Sequence, residues 1–183
     1  MKLGIVIPAL NEEESIEKII LRTHEAKSYI TTNSPVTAVD IIVVSDGSTD
    51  QTVPLASKHL DKIKLVVFEK NKGYGAAIKQ GWEETDADLV AFLDADGTCD
   101  PKFFAALCTE LEQGKRDIML GCRLNKNSEM PAIRRFGNTL FAILLSLVSN
   151  QRVRDTASGM RVIRRTSLQE IMPLPDGLHF TPA

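Results

Sequence analysis

The stretch Leu89-Val90-Ala91-Phe92-Leu93-Asp94-Ala95-Asp96-Gly97 changes character in a single step. Five apolar residues in a row fit a short strand buried on both faces. The Asp and Gly residues behind them form a turn and bring two carboxylates to the strand's end. The same design recurs along the chain. Further strands are expected at 3–7, 40–44, 64–68 and 117–120. The first runs into Pro8-Ala9-Leu10-Asn11-Glu12, the second into Asp46-Gly47-Ser48-Thr49-Asp50, and the third into Asn71-Lys72-Gly73-Tyr74-Gly75.

Between the strands the apolar residues keep helical spacing. Asn11 is expected to cap a helix with Glu12, Glu13 and Glu14 in its first turn and Ile16, Ile19, Ile20 and Ile30 on its inner face. Other helices are expected from about 51 to 60, from the glycine-broken loop through Trp82, and from Pro101 to Gly114. Apolar strands alternating with helices mean an α/β domain with a largely parallel sheet. Right-handed crossovers then put the C-terminal end of every strand on one edge, where such folds bind ligands. Four polar loops on that edge make a site.

Composition supports a globular domain. The chain has 183 residues, 43% of them hydrophobic and 25% charged, so it can bury a core without a staple. Three cysteines (Cys99, Cys108, Cys122) follow no zinc spacing, which suits a reducing, cytoplasmic setting. The longest apolar run, 140–148, falls short of the roughly 20 residues of a membrane-spanning helix. No signal peptide is read at the start. The net charge of −2 hides two unlike parts. Residues 1–120 hold 13 Lys and Arg against 20 Asp and Glu, a net of −7; residues 121–183 hold 9 against 4, a net of +5, and eight of those nine cations are Arg. An acidic part that suits a metal thus joins an arginine-rich part that suits phosphates.

Asp94 and Asp96 carry the sharpest chemical signal. Paired hard-oxygen ligands at a strand end suit Mg²⁺ or Mn²⁺, with diphosphate and water completing the shell. Asp46 could accept hydrogen bonds from a nucleobase or ribose, or serve an Asx-turn feeding the next helix. Gly73 and Gly75 allow close backbone approach, yet a dinucleotide fingerprint would need a third glycine where Ile78 stands. His24 and His59 read as helix surface residues, and His179 as a candidate near the end.

In order, Pro8-Ala9-Leu10-Asn11-Glu12, Asp46-Gly47-Ser48-Thr49-Asp50, Asn71-Lys72-Gly73-Tyr74-Gly75-Ala76, Asp94-Ala95-Asp96, Gly121-Cys122-Arg123 and Asp155-Thr156-Ala157-Ser158-Gly159-Met160-Arg161 resemble the family 2 glycosyltransferases of GT-A fold. The resemblance is nearest to the dolichol-phosphate mannose synthase and polyprenyl-phosphate glycosyltransferase branch. It implies one catalytic domain over 1–183, with a nucleotide-sugar part at 1–120 and an acceptor part at 121–183. It implies inverting transfer from a UDP- or GDP-sugar, with Mg²⁺ or Mn²⁺, to a polyprenyl phosphate. Pro8, Asn11, Glu12 and Asp46 would line the nucleoside pocket, with Lys72 and Gly73 also on the donor. Asp94 would lie near the ribose and donor sugar, and Asp96 would bind the metal with Asp94 beside it. Arg123, with Arg134 or Arg135, would meet phosphates. Ser158, Gly159 and Arg161 would shape the acceptor side.

Met160 departs from the usual aromatic, and Thr98 from a second metal ligand such as Gln. The chain stops where family members continue, so a C-terminal segment is expected to be missing. A lipid phosphate is already ionised and needs no base. A saccharide hydroxyl would need one, and Asp155 is then the choice. A helix expected at 131–150 would pack most of its apolar surface on the sheet, while the arginines near its two ends would allow peripheral contact with the membrane's cytoplasmic face. A nucleotidyltransferase or a non-catalytic nucleotide-binding domain remain as rivals. Nucleic-acid binding is disfavoured, since the basic segment lacks interleaved aromatics.

Overall fold

The computed structural model describes residues 1–121 and 159–177. Six strands form one sheet: β1 (Lys2–Ala9), β2 (Ala38–Asp46), β3 (Lys64–Phe68), β4 (Leu89–Leu93), β5 (Ile118–Leu120) and β6 (Met160–Arg164). Their order is β3-β2-β1-β4-β6-β5. β1 to β4 are parallel, as their continuous apolar runs predict. β6 runs antiparallel to both β4 and β5. The expectation that every strand ends on one edge therefore fails for β6, which begins there. Met160 pairs with Leu93, so the residues before β6 arrive beside the end of β4.

Helices α1 (Ile16–Thr32), α2 (Thr52–Ser57) and α4 (Phe103–Gln113) pack on one face of the sheet. There Ile5, Ile7, Val43, Ala91 and Leu93 meet Ile16, Ile20, Phe104 and Cys108. Helices α3 (Tyr74–Glu83) and α5 (Arg165–Ile171) cover the other face, where Val6, Ile42, Val44 and Phe92 meet Ile78, Trp82 and Leu168. Alternate strand residues thus face alternate layers, and both layers are buried.

Several boundaries differ from the sequence expectation. α1 starts at Ile16 with Ser15 at its N-cap, so Asn11 does not cap it and only Glu17 lies in its first turn. Asn11 instead takes a left-handed conformation, φ 55°, and its side chain accepts the Thr49 amide at 2.9 Å. α2 ends at Ser57, leaving His59 beyond it, part-buried against Glu17 at 3.2 Å. Gly114 does end α4 but stays right-handed, and Lys115 makes the left-handed turn at φ 46°. The expected helix at 131–150 lies outside the described residues.

Pro8 belongs to β1 rather than to the loop after it, although a proline in a central strand forfeits a ladder bond. The β1–β4 pairing has ended at Val6, and only Val44 of β2 pairs with Pro8. The missing N–H therefore costs no bond on the β4 side. Beyond Val6 the two central strands part, at the point where the connections reverse direction along the sheet. That divide is where open α/β sheets place their ligands.

Candidate active site at the strand ends

Residues 9–13, 46–52, 70–74 and 94–99 meet at this edge. The first two loops are stitched together. Ser48 Oγ accepts the Asn11 amide at 3.1 Å, Thr52 Oγ1 the Glu12 amide at 2.7 Å, and Asp50 Oδ2 the Glu13 amide at 3.1 Å. In return Glu13 Oε2 accepts the Gln51 amide at 3.0 Å. The Glu12 carboxylate takes the Ser15 hydroxyl at 2.7 Å. Asn11 and Glu12, expected to line a nucleoside pocket, thus use their amides, and Asn11 its side-chain oxygen, to join the loops, while the Glu12 carboxylate serves its own segment. Pro8 lies buried beneath them.

Asp46 ends β2 and is only 3% exposed. Its Oδ1 accepts the Lys72 amide at 2.6 Å and its Oδ2 the Gly73 amide at 2.9 Å. It is not the Asx-turn acceptor of its own loop. Asp50 takes that part, accepting the Thr52 amide at 2.9 Å and hydroxyl at 2.6 Å, which holds its carboxyl below the usual range despite the cost of desolvation. Each Asp46 oxygen keeps a second lone pair for a ligand donor. Gly73, at φ 107°, has no room for a Cβ: one would stand 2.5 Å from the Asp176 carbonyl oxygen. The Lys72 side chain lies over the Phe68 ring at 4.1 Å.

Asp94 follows β4 and is half-buried. Its amide donates to the Gly159 carbonyl at 3.0 Å. Its Oδ1 accepts the Tyr74 hydroxyl at 2.5 Å. Burial, then the Asp94 charge, pushes the Tyr74 phenol far above its ordinary value, so it stays a donor throughout the physiological range. Tyr74 also meets Phe92 edge-on, with centroids 6.1 Å apart. The Arg161 guanidinium lies 5.7 Å from the same Phe92 ring and is buried, at 6% exposure, close enough to Tyr74 to act on its charge. Gly159 has no space for a Cβ, which would fall on the Asp94 carboxylate.

Asp96 is exposed on the turn, and its Oδ1 accepts the Thr98 amide at 2.9 Å and hydroxyl at 2.8 Å. Among the described residues no cluster of three His, Cys, Asp or Glu forms a complete metal cage. The donors at this turn, the carboxylates of Asp94 and Asp96, are hard oxygens of the kind Mg²⁺ or Mn²⁺ takes.

The tertiary structure therefore gathers Asn11, Glu12, Asp46, Lys72, Gly73, Asp94 and Asp96 at one edge. Arg123, Arg134, Arg135, Asp155, Ser158 and His179 lie outside the described residues. Sequence reasoning passed over Tyr74 as a site residue. The available signal was a polar aromatic inside a strand-end loop. A cavity of about 160 Å³ between α3 and α5, lined by Trp82, Arg165, Leu168 and Met172, includes none of these residues. Arg165 is used structurally there, donating to the carbonyls of Trp82, Thr85 and Ala87.

Comparison with known proteins identifies the family and the fold. The profile described as Glycosyl transferase family 2 matches residues 4–172. A dodecaprenyl-phosphate galacturonate synthase of Rhizobium johnstonii is 26% identical over 100% of this chain and 54% of its own length. A dolichyl-phosphate beta-glucosyltransferase of Drosophila melanogaster is 30% identical over 93% and 57%. A dolichyl-phosphate hexose transferase of Haloferax volcanii is 30% identical over 92% and 69%. The chain thus spans about half the length of the first two relatives. The crystal structure of Mycobacterium tuberculosis glucosyl-3-phosphoglycerate synthase superposes with a TM-score of 0.72 at 24% identity, covering 99% of this chain and 63% of that one. S. aureus TarS gives 0.69 at 20%, covering 100% and 53%. The architecture is the GT-A fold.

Proposed function

Since this chain belongs to glycosyl transferase family 2, we propose that it carries the donor-binding part of an inverting transferase that moves a sugar from a nucleoside-diphosphate sugar to a polyprenyl phosphate. One observation carries the proposal. Asp46, the Asn11–Glu12 loop and the Asp94–Asp96 turn stand at the ends of three adjacent parallel strands, β2, β1 and β4, where the sheet's connections diverge.

The residues divide the work by position. Asp46 locks the start of α3 and offers its remaining lone pairs to a base or ribose. Tyr74 orients Asp94 toward the ribose and donor sugar. Asp96, with Asp94 beside it, would hold Mg²⁺ or Mn²⁺. When bound, the metal supplies positive charge for the diphosphate leaving group. The M. tuberculosis synthase has been crystallised with Mn²⁺ and UDP together, which supports this donor class. The curated relatives named above are transferases named for lipid phosphates, which supports the acceptor class. A phosphate acceptor is already an anion near neutral pH and needs no base to take its proton. Arg123, Arg134 and Arg135 are proposed to meet its charge and the donor's. Asp155 would act as base only for a saccharide acceptor. A polyprenyl tail stays in the bilayer, so transfer brings the protein to a membrane surface. Among the described residues no helix is long and apolar enough to cross one.

Thermal shift with UDP and GDP, each with and without Mn²⁺, tests the donor site. A nucleotide at 100 times its dissociation constant should add about 2.7 kcal/mol of stability. Asp96→Asn should remove the Mn²⁺-dependent part of that gain while leaving the ligand-free melting temperature near wild type. Metal-dependent stabilisation that survives in the folded variant would reduce Asp96 to an ordinary turn residue. Efficient transfer to a soluble sugar, with none to a polyprenyl phosphate, would replace the acceptor.

A further inference from the structure

The turn that bears Asp96 is held from a distance. It leaves β4 after Leu93, passes through Gly97 in the left-handed region at φ 72°, and returns to the core at buried Cys99. Locally only Thr98 braces Asp96. The long-range brace is Arg22, more than seventy residues away on α1. Its Nη1 donates to the Gly97 carbonyl at 2.8 Å and its Nη2 to the Cys99 carbonyl at 3.3 Å. The two carbonyls flank Thr98, the residue that caps Asp96. A planar guanidinium suits this task, because its fixed fork can grip two acceptors at once.

Arg22 makes no ion pair with Asp96 or Asp94 among the described residues. It therefore does not compete by direct contact for either carboxylate. It is half-buried on α1, a helix anchored in the core by Ile16, Ile19, Ile20 and Ile30. Ala95 and Cys99 anchor the two ends of the turn in the core, and Arg22 fastens the exposed stretch between them to a rigid helix.

We propose that Arg22 is a positioning residue for the metal-binding turn, clamping the Gly97 and Cys99 carbonyls so that Asp96 is presented to the metal–diphosphate in one geometry. This rests on the reading of Asp96 as a metal ligand. Groups that orient a metal ligand from behind typically change metal affinity or activity by roughly 10–100-fold when removed.

The test is a Mn²⁺ titration of the thermal shift produced by saturating UDP or GDP, whichever binds. Arg22→Met keeps length and apolar stem but donates no hydrogen bond. It should raise the Mn²⁺ concentration for half-maximal stabilisation by roughly 10–100-fold, with nucleotide affinity in EDTA unchanged. Arg22→Lys, able to grip with only one point charge, should fall between Met and wild type. A merely structural arginine would instead lower the ligand-free melting temperature and weaken metal-free and metal-dependent binding alike. That result, or a Mn²⁺ dependence identical to wild type in either folded variant, overturns the proposal. Asp96→Asn measured alongside separates the two ideas. If it keeps its metal dependence, the metal reading itself has failed and Arg22 falls with it. If it loses the dependence while Arg22→Met retains it in full, only the clamp is wrong.

Discussion

Asp46→Asn is the substitution that best probes how the loops are joined. Asp46 is 3% exposed and satisfies two backbone amides at 2.6 and 2.9 Å, one on each carboxylate oxygen. An asparagine is nearly the same size but presents one oxygen and one NH₂ group. Whichever way it turns, one amide faces a donor. The lost bond to a charged acceptor is worth about 1.5–3 kcal/mol, and an amide left unsatisfied at this depth costs about 1–3 kcal/mol. The two figures describe one event in part and do not add fully, so the net cost should be about 3 kcal/mol. For a chain of this length each kcal/mol lowers the melting temperature by about 2–4 °C, so the fall should be about 6–12 °C. Urea unfolding followed by Trp82 fluorescence should show a lower midpoint with an unchanged slope, since the surface exposed on unfolding is the same. Nucleotide affinity of the folded variant should drop with or without Mn²⁺, because Asp46 is assigned to the nucleoside end. A shift below about 2 °C would refute the reasoning that two buried amides depend on this carboxylate. A binding loss confined to Mn²⁺-containing samples would move Asp46 to the wrong end of the site.

Tyr74→Phe removes the hydrogen bond to Asp94 and should cost about 1 kcal/mol of stability while lowering sugar transfer more than nucleotide affinity, which a kinetic assay with varied donor resolves. Tyr74 also carries a pH signature. Its folded pKa is raised above the unfolded value of about 10, so the folded state holds the proton longer. Its stabilisation is complete below about pH 10 and is lost as the pH climbs beyond it, since only the unfolded chain then releases the proton. Urea midpoints at increasing alkaline pH should fall less steeply in the Phe variant, and equal slopes would dismiss the assignment. Gly159→Ala places a methyl group on the Asp94 carboxylate and should displace it from Tyr74. The expected cost is about 1–3 kcal/mol, as for other overpacked positions, with loss of transfer well beyond what stability explains. Wild-type kinetics in this variant would show that Asp94 needs no fixed position.

The sequence alone determined the layers of this domain and the edge where its polar strand ends gather. Strands too apolar to face water on either side must lie inside an α/β sandwich, and right-handed crossovers bring their polar ends together whatever the helices' exact limits. Asp46, Asp94 and Asp96 were legible for that reason, as were Gly73 and the family resemblance. Local chemistry also made Asn11 a plausible helix cap, but tertiary bonding to Thr49 won, and the helix began at Ile16. The direction of β6 was likewise hidden, because hydrophobic period is the same for parallel and antiparallel strands. That direction is what sets Gly159 against Asp94. Only the tertiary structure decided which polar groups spend themselves on one another. Asp46 on the Lys72 and Gly73 amides, Tyr74 on Asp94, and Arg22 on the Gly97 and Cys99 carbonyls all join residues twenty or more positions apart. Residue types and spacing report which groups a strand end offers. The partner of each group depends on where distant backbone amides and carbonyls come to lie, and packing alone fixes that.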